Sequence, residues 1–297
     1  MLARRPFPQV APPPADIPAP STQAWPALGL GTWRMGESRS RRAAEVAAVR
    51  AALDLGYRLI DTAEMYGEGG AEEVVGEALA QAFRAGLART SVTVVSKVYP
   101  HHASAAGVRE ACARSRRRLG LDRIDLYLLH WRGGVPLRET LDGFRALQAE
   151  GAIGRWGVSN FDVSDLEELA ALPGGSACAA NQVWYSLGQR GLEFDLLPWQ
   201  RAQGLPLMAY SPIDQGQLPR HAALGTLAAE LGVTSAQLAL AWVLREPGGV
   251  VAIPKAGRAE HLAQNLEAAQ IVLPPEAIAR LDQLFPPPRE ATSLAMN

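Results

Sequence analysis

Cysteine is nearly absent from this 297-residue chain, where Cys112 and Cys178 are the only two. Two isolated thiols make neither a disulfide framework nor a zinc site, and they point to a reducing compartment. Cys112 shares a helical face with Val108, Ser115 and Leu119, as a packed thiol does. No Asn-x-Ser/Thr acceptor occurs, and no apolar run approaches the length of a membrane span. Prolines, not an apolar core, follow Arg4 and Arg5, so no export signal is expected and the cytoplasm is the expected location. Neither sign of charge dominates. A net charge of −1 offers no basic face for nucleic acid or a membrane surface. Nucleotide loops are missing too. Gly29 and Gly31 begin a Gly-x-Gly, but Arg34 stands where the third glycine of a dinucleotide fingerprint belongs. There is no Gly-x-x-x-x-Gly-Lys-Ser/Thr, so any nucleotide must be held by another device.

What the chain does have is a rhythm. Residues 1–24 are rich in proline and alanine and predict an extended, mobile tail, and no two of their prolines stand in a PxxP relation. From about residue 25, short apolar runs alternate with amphipathic stretches. Strands are expected at 28–33, 58–62, 92–97, 124–130, 155–159, 179–182, 206–210 and 250–253. Helices are expected at 40–55, 72–83, 104–119, 138–150, 164–172, 191–203, 222–231, 234–245, 261–268 and 275–284. Ser164 with Glu167 and Thr234 with Gln237 have the spacing of capping boxes. Each strand being followed by a helix implies parallel pairing through right-handed crossovers. Eight such units at this length predict an α/β fold, a single-domain (β/α)8 TIM barrel over residues 25–285, with 286–297 as a short C-terminal tail.

In such a barrel the chemistry sits at the C-terminal ends of the strands. The polar residues standing there are Asp61, Lys97, His130, Ser159-Asn160, Gln182, Tyr210-Ser211 and Lys255. Any one alone is more often structural, but the set converges on one rim. The stretch 58–67, Arg-Leu-Ile-Asp-Thr-Ala-Glu-Met-Tyr-Gly, adds Tyr66 in a loop with Gly67, Gly69 and Gly70. A tyrosine is a poor acid at neutral pH unless a nearby ammonium favours its phenolate. Lys97 could do that, Asp61 could hold Lys97, and His130 could orient a carbonyl oxygen or relay the proton. His101 and His102 adjoin, with no Cys, Asp or Glu near them in the sequence, and no metal site is expected.

The chain resembles the aldo-keto reductase family from about Gly29 to Leu284. The markers stand in order: Gly-Thr-Trp at 31–33, Leu-Ile-Asp-Thr-Ala-x-x-Tyr-Gly at 59–67, Ser-Lys at 96–97 and Asp-Leu-Tyr-Leu-Leu-His-Trp at 125–131. Trp-Gly-Val-Ser-Asn at 156–160, Asn-Gln at 181–182, Ala-Tyr-Ser-Pro at 209–212 and Ile-Pro-Lys at 253–255 follow. The branch it most resembles is bacterial and reduces small aldehydes such as methylglyoxal. The resemblance implies a catalytic tetrad of Asp61, Tyr66, Lys97 and His130. It implies NADPH as cofactor, with the carboxamide on Ser159, Asn160 and Gln182, the ring stacked on Tyr210, and Ser211, Pro212, Ile213 and Gln215 beside the pyrophosphate. Gly31, Thr32, Trp33, Ile253 and Pro254 are expected to border the cofactor. Lys255 and Arg258 would grip a 2′-phosphate, and Gln264 and Asn265 the adenine. Trp33, Tyr66, His130 and Trp131 would wall a pocket for a small carbonyl substrate. The short C-terminal tail implies an open mouth. Neither nucleic acid nor membrane is an expected partner, and a monomer is favoured over an oligomer. The alternative function is a cofactor-binding sensor or regulatory subunit with little turnover, since fold alone does not settle function.

Overall fold

The alternating pattern folds, in a computed structural model that describes residues 2–11, 24–246 and 248–296, into eight parallel strands ringed by helices. In chain order the elements are β1 (Ala3–Arg4), β2 (Gln9–Val10), β3 (Trp25–Pro26), β4 (Leu30–Gly31), α1 (Arg42–Asp54), β5 (Leu59–Asp61) and α2 (Gly70–Arg84). Then come β6 (Thr93–Val98), α3 (Ala105–Leu119), β7 (Ile124–Leu129), α4 (Leu137–Ala149), β8 (Ile153–Ser159), α5 (Val163–Ala171) and β9 (Asn181–Trp184). The chain continues through α6 (Leu196–Ala202), β10 (Leu207–Tyr210), α7 (Ala222–Glu230), α8 (Ser235–Val243), β11 (Val250–Ala252), α9 (Ala259–Gln270), β12 (Ile271–Val272) and α10 (Pro275–Leu284).

Strands β4 to β11 pair in sequence order, all parallel. Parallel bridges Leu28↔Ala252 and Gly31↔Lys255 join the first strand to the last and close the ring. Closure is why position 31 is a glycine: a Cβ there would lie 2.6 Å from the Ile253 carbonyl oxygen. The register sets Asp61 opposite Gly31, and Ser159 opposite Gln182, so the polar strand ends share one rim. Strand interiors such as Leu59, Ile60, Val94 and Leu128 are fully buried, as expected of a parallel sheet covered by helices.

Local chemistry explains where the elements start. Ser104 accepts from the Gly107 N–H and opens α3, and Thr234 with Gln237 forms the expected capping box on α8. The box on α5 is different: Asp162 and Asp165 make it, two residues before the expected Ser164–Glu167 pair, because the Asp162 carboxylate takes the Asp165 N–H at 2.9 Å. The helix expected over 191–203 is broken into a 3-10 turn, Gly191–Glu193, and α6. Pro198 explains the break. Its missing N–H is tolerated in the first turn of a helix that restarts after Asp195, but not in the interior of a longer one.

The N-terminal segment differs from the expected mobile tail wherever it is described. β1 pairs antiparallel with β12, β2 pairs with β3, and Val10 is fully buried. The Arg5 guanidinium donates to the carbonyls of Leu244, Arg245 and Ala269. Residues 12–23, to which that expectation also applies, lie outside the described residues. Among the described residues no single helix is long and apolar enough to cross a membrane.

Candidate active site

The barrel strands from β5 onward bring polar side chains to the rim where they end. β5 ends on Asp61, 1% exposed, and β6 carries Lys97, fully buried. Lys97 Nζ donates to both Asp61 carboxylate oxygens, at 2.9 and 2.8 Å, and to the Thr62 carbonyl at 2.9 Å. It also donates to the Tyr66 phenol oxygen at 3.2 Å. Gln182 Nε2 gives Asp61 a third donor at 2.8 Å. Among the described residues no acceptor takes the proton of the Tyr66 hydroxyl itself. His130, just after β7, stands edge-on to the Tyr66 ring with centroids 5.7 Å apart, and Trp33 does so at 5.0 Å. The four residues expected to form one acid are brought together.

The electrostatics correct one step of the sequence argument. Burial, and then the Asp61 charge, push the Tyr66 phenol well above its ordinary range. The net shift in the free protein is upward, although Lys97 donates to the phenol oxygen. Burial also pushes Lys97 down and Asp61 up, against the mutual attraction of the pair. His130 lies well below the usual imidazole range, through burial and then the Lys97 charge, so its ring is neutral at pH 7. Its Nδ1 is buried without a hydrogen-bond partner among the described residues. The site therefore holds a protonated phenol, a neutral imidazole and a buried cation.

These groups face a cavity of about 510 Å3. Of the expected cofactor and substrate residues, Gly31, Trp33, Ser159, Asn160, Gln182, Tyr210, Ser211, Pro212, Ile213, Gln215, Ile253, Pro254 and Lys255 line it, as do Asp61, Tyr66, His130 and Trp131. Thr32 does not; it is fully buried and donates to the Asp61 carbonyl at 2.9 Å. Lys97 lies beneath the wall, behind Asp61 and Tyr66. Arg258, Gln264 and Asn265 stand outside the cavity lining, at the start of α9 and along it. Asn265 is buried beside the Tyr57 hydroxyl. Asn160, in the left-handed region at φ 59°, donates to the His130 carbonyl at 3.1 Å and accepts from the Tyr210 hydroxyl at 2.9 Å. Lys255 and Arg258 are exposed, and no carboxylate among the described residues pairs with either. Two free cations, Lys255 at the edge of the cavity and Arg258 at the N-cap of a 12-residue helix, fit a phosphorylated dinucleotide.

Residues 27–285 match the model of the Aldo/keto reductase family. The chain belongs to the aldo/keto reductase family. It is 49% identical over 276 residues to methylglyoxal reductase YeaE of Escherichia coli, covering 91% of this chain and 95% of that protein. It is 30% identical to methylglyoxal reductase DkgB of Salmonella typhimurium, over 86% of this chain and 93% of that one. A crystal structure of an aldo-keto reductase from Klebsiella pneumoniae in complex with NADPH superposes with a TM-score of 0.89 at 50% identity, covering 95% of this chain and 99% of that one.

Several features of this aldo/keto reductase site were not anticipated. Met65, Arg34 and Gly216 also line the cavity, and Arg34 holds a left-handed φ of 64°. Met296 reaches the lining from the C-terminal tail, which packs its Thr292 against Gly191. The short tail thus adds one residue to the edge of the cavity, and Met296 is itself 58% exposed there. Asp214, 8% exposed, accepts from Trp184 Nε1 at 3.0 Å and from the Ser186 hydroxyl, and so pins the loop that follows β10. Glu72 is wholly buried behind Lys97, taking the Ser96 hydroxyl at 2.6 Å and Arg118 at 2.8 Å. His102 has a carboxylate neighbour after all, with its Nδ1 3.0 Å from Glu64. No group of three or more metal-ligating side chains occurs among the described residues. One available signal was compositional: Lys97 and Lys255 are the only lysines in the chain, and both stand at this site.

Proposed function

We propose that the protein reduces small aldehydes and ketones to alcohols at the expense of NADPH. The observation that carries this reading is the Asp61–Lys97–Tyr66 array, with the phenol proton unclaimed, facing a cavity walled by His130, Trp33 and Trp131. When bound, NADPH supplies the hydride from nicotinamide C4. Ser159, Asn160 and Gln182 are the groups that would hold its carboxamide, and Tyr210 its ring. Lys255 and Arg258 would hold the 2′-phosphate, which favours NADPH over NADH.

The residues do the rest. Neutral His130 donates to the carbonyl oxygen and aims it at Tyr66. As negative charge develops on that oxygen, Tyr66 gives up its proton. Lys97, held by Asp61, stabilises the phenolate left behind, a charge the empty site disfavours and the ammonium offsets. Such acid catalysis contributes about 10²–10⁴ in rate. The apolar walls exclude water and suit compact, reactive carbonyls of the methylglyoxal type, the substrate named for two of the relatives. We place the reaction in the cytoplasm, with the protein acting as a monomer.

A panel of carbonyls offered with NADPH and with NADH tests the reading. Turnover of small aldehydes with a clear NADPH preference is expected. Tight NADPH binding without turnover on any carbonyl would make the protein a cofactor sensor instead.

A further inference from the structure

Two glutamates flank Tyr66 symmetrically, Glu64 two residues before it and Glu68 two residues after, and both hold the same partner. Glu64 Oε1 accepts the Tyr99 N–H at 2.8 Å, and Glu68 Oε1 accepts the Tyr99 hydroxyl at 2.9 Å. Tyr99 itself stands two residues beyond Lys97. The loop that carries the phenol is thus gripped at both shoulders by the strand end that carries the ammonium. Glu64 is well suited to its part. It is 4% exposed and also faces His102 Nδ1 at 3.0 Å and Arg114 Nη2 at 3.5 Å. Its own N–H reaches the Lys97 carbonyl at 3.3 Å.

The loop needs such a grip. Gly67, Glu68 and Gly69 all hold positive φ, at 58°, 51° and 91°. Glycine takes that conformation without strain, but Glu68 does not. At Gly69 a side chain would be strained by the φ of 91° and would displace the Arg118 guanidinium, 2.3 Å from where its Cβ would lie. Backbone stiffness at these positions is low, so side-chain contacts add to the loop's own backbone hydrogen bonds in holding the phenol.

We propose that Tyr99 is a positioning residue for the reduction, setting the Tyr66 hydroxyl against Lys97 through Glu64 and Glu68. The inference rests on the carbonyl-reductase reading above. Tyr99→Phe isolates the effect, because it keeps the ring that packs edge-on to Trp131 at 5.9 Å and removes only the hydroxyl. Tyr99→Phe and Glu68→Ala are each expected to lower kcat by about 2- to 10-fold, the range that one net hydrogen bond is worth. NADPH affinity should not change. The double variant should lose no more than either single one, because both remove one bond. Glu68→Gln, which keeps an acceptor oxygen, should restore kcat.

A second readout needs no turnover. Amide hydrogen exchange over residues 64–69 of the free protein should speed up in Tyr99→Phe and Glu68→Ala but not in Glu68→Gln. Unchanged kcat and unchanged exchange in Tyr99→Phe would overturn the proposal, as would additive losses in the double variant or a parallel loss of NADPH binding. If the wild-type protein turns over no carbonyl yet the exchange pattern appears, the clamp stands and the reductase reading fails.

Discussion

Replacing Lys97 by Met tests the buried pair at the heart of the site. The side chains are similar in volume, so packing changes little, but all four Nζ contacts are lost. Asp61 would keep only Gln182 as a donor while 1% exposed, and the Thr62 carbonyl would lose its Lys97 bond. Removing one partner of a buried ion pair costs about 3–5 kcal/mol, because the other charge is left uncompensated. The penalty should depend on pH, with a sign that follows from burial. Burial raises the Asp61 pKa even in the wild type, and without Lys97 nothing of opposite charge opposes it. A carboxyl whose folded pKa lies above its unfolded one contributes stability at low pH and loses it as pH rises. Both proteins lose this contribution as pH rises above about 4, the unfolded carboxylate value, and the variant should fall increasingly behind once pH passes the raised folded value of Asp61 in the wild type. Urea unfolding of both proteins at about pH 5 and about pH 8 measures this. A deficit below about 1 kcal/mol at about pH 8, the worth of an exposed pair, would refute the reasoning. So would a deficit that is the same at both pH values.

Other consequences can be checked more quickly. An amine-reactive reagent should label Lys255 and spare Lys97, which is fully buried, and saturating NADPH should protect Lys255 if it grips the 2′-phosphate. Lys255→Ala should weaken NADPH binding by about 10-fold or more and leave NADH nearly unaffected, as fluorescence titration would show. With the Tyr66 pKa raised and that of His130 lowered, neither group should change its proton in the free enzyme across neutral pH. A kcat/KM profile for reduction with no inflection from either of these two groups around neutral pH is therefore expected. Thr234→Ala removes the cap of α8 and should cost about 1 kcal/mol in thermal unfolding without touching kcat.

The barrel was legible because parallel strands buried on both faces leave apolar runs, and nearly every run here stops at a polar residue on the rim. Asp61, Lys97 and His130 could be found by listing those stops. The electrostatics were not legible in the same way. The order of strand ends suggests that Lys97 could meet Tyr66, but only the folded site shows that burial and the Asp61 charge raise the phenol. Contacts between distant segments were equally hidden. Glu64 meets His102, and Met296 returns to the cavity, over separations that no periodicity records. The proline-rich N-terminus misled for a similar reason: its pairing partner, β12, lies at the other end of the chain. Arg258, Gln264 and Asn265 came from resemblance alone, and in the free protein they stand beyond the cavity wall.

The central claim is that hydride moves from NADPH to a carbonyl carbon while Tyr66 supplies the proton. It is tested most directly by a single turnover with NADPH deuterated at the transferring C4 position, in the wild-type protein and in Tyr66→Phe. Mass spectrometry of the alcohol should find one deuterium on the former carbonyl carbon with the wild type. Tyr66→Phe should bind NADPH as tightly and form product about 10²–10⁴ times more slowly. Product free of deuterium, or a Tyr66→Phe variant as fast as the wild type, would contradict the account.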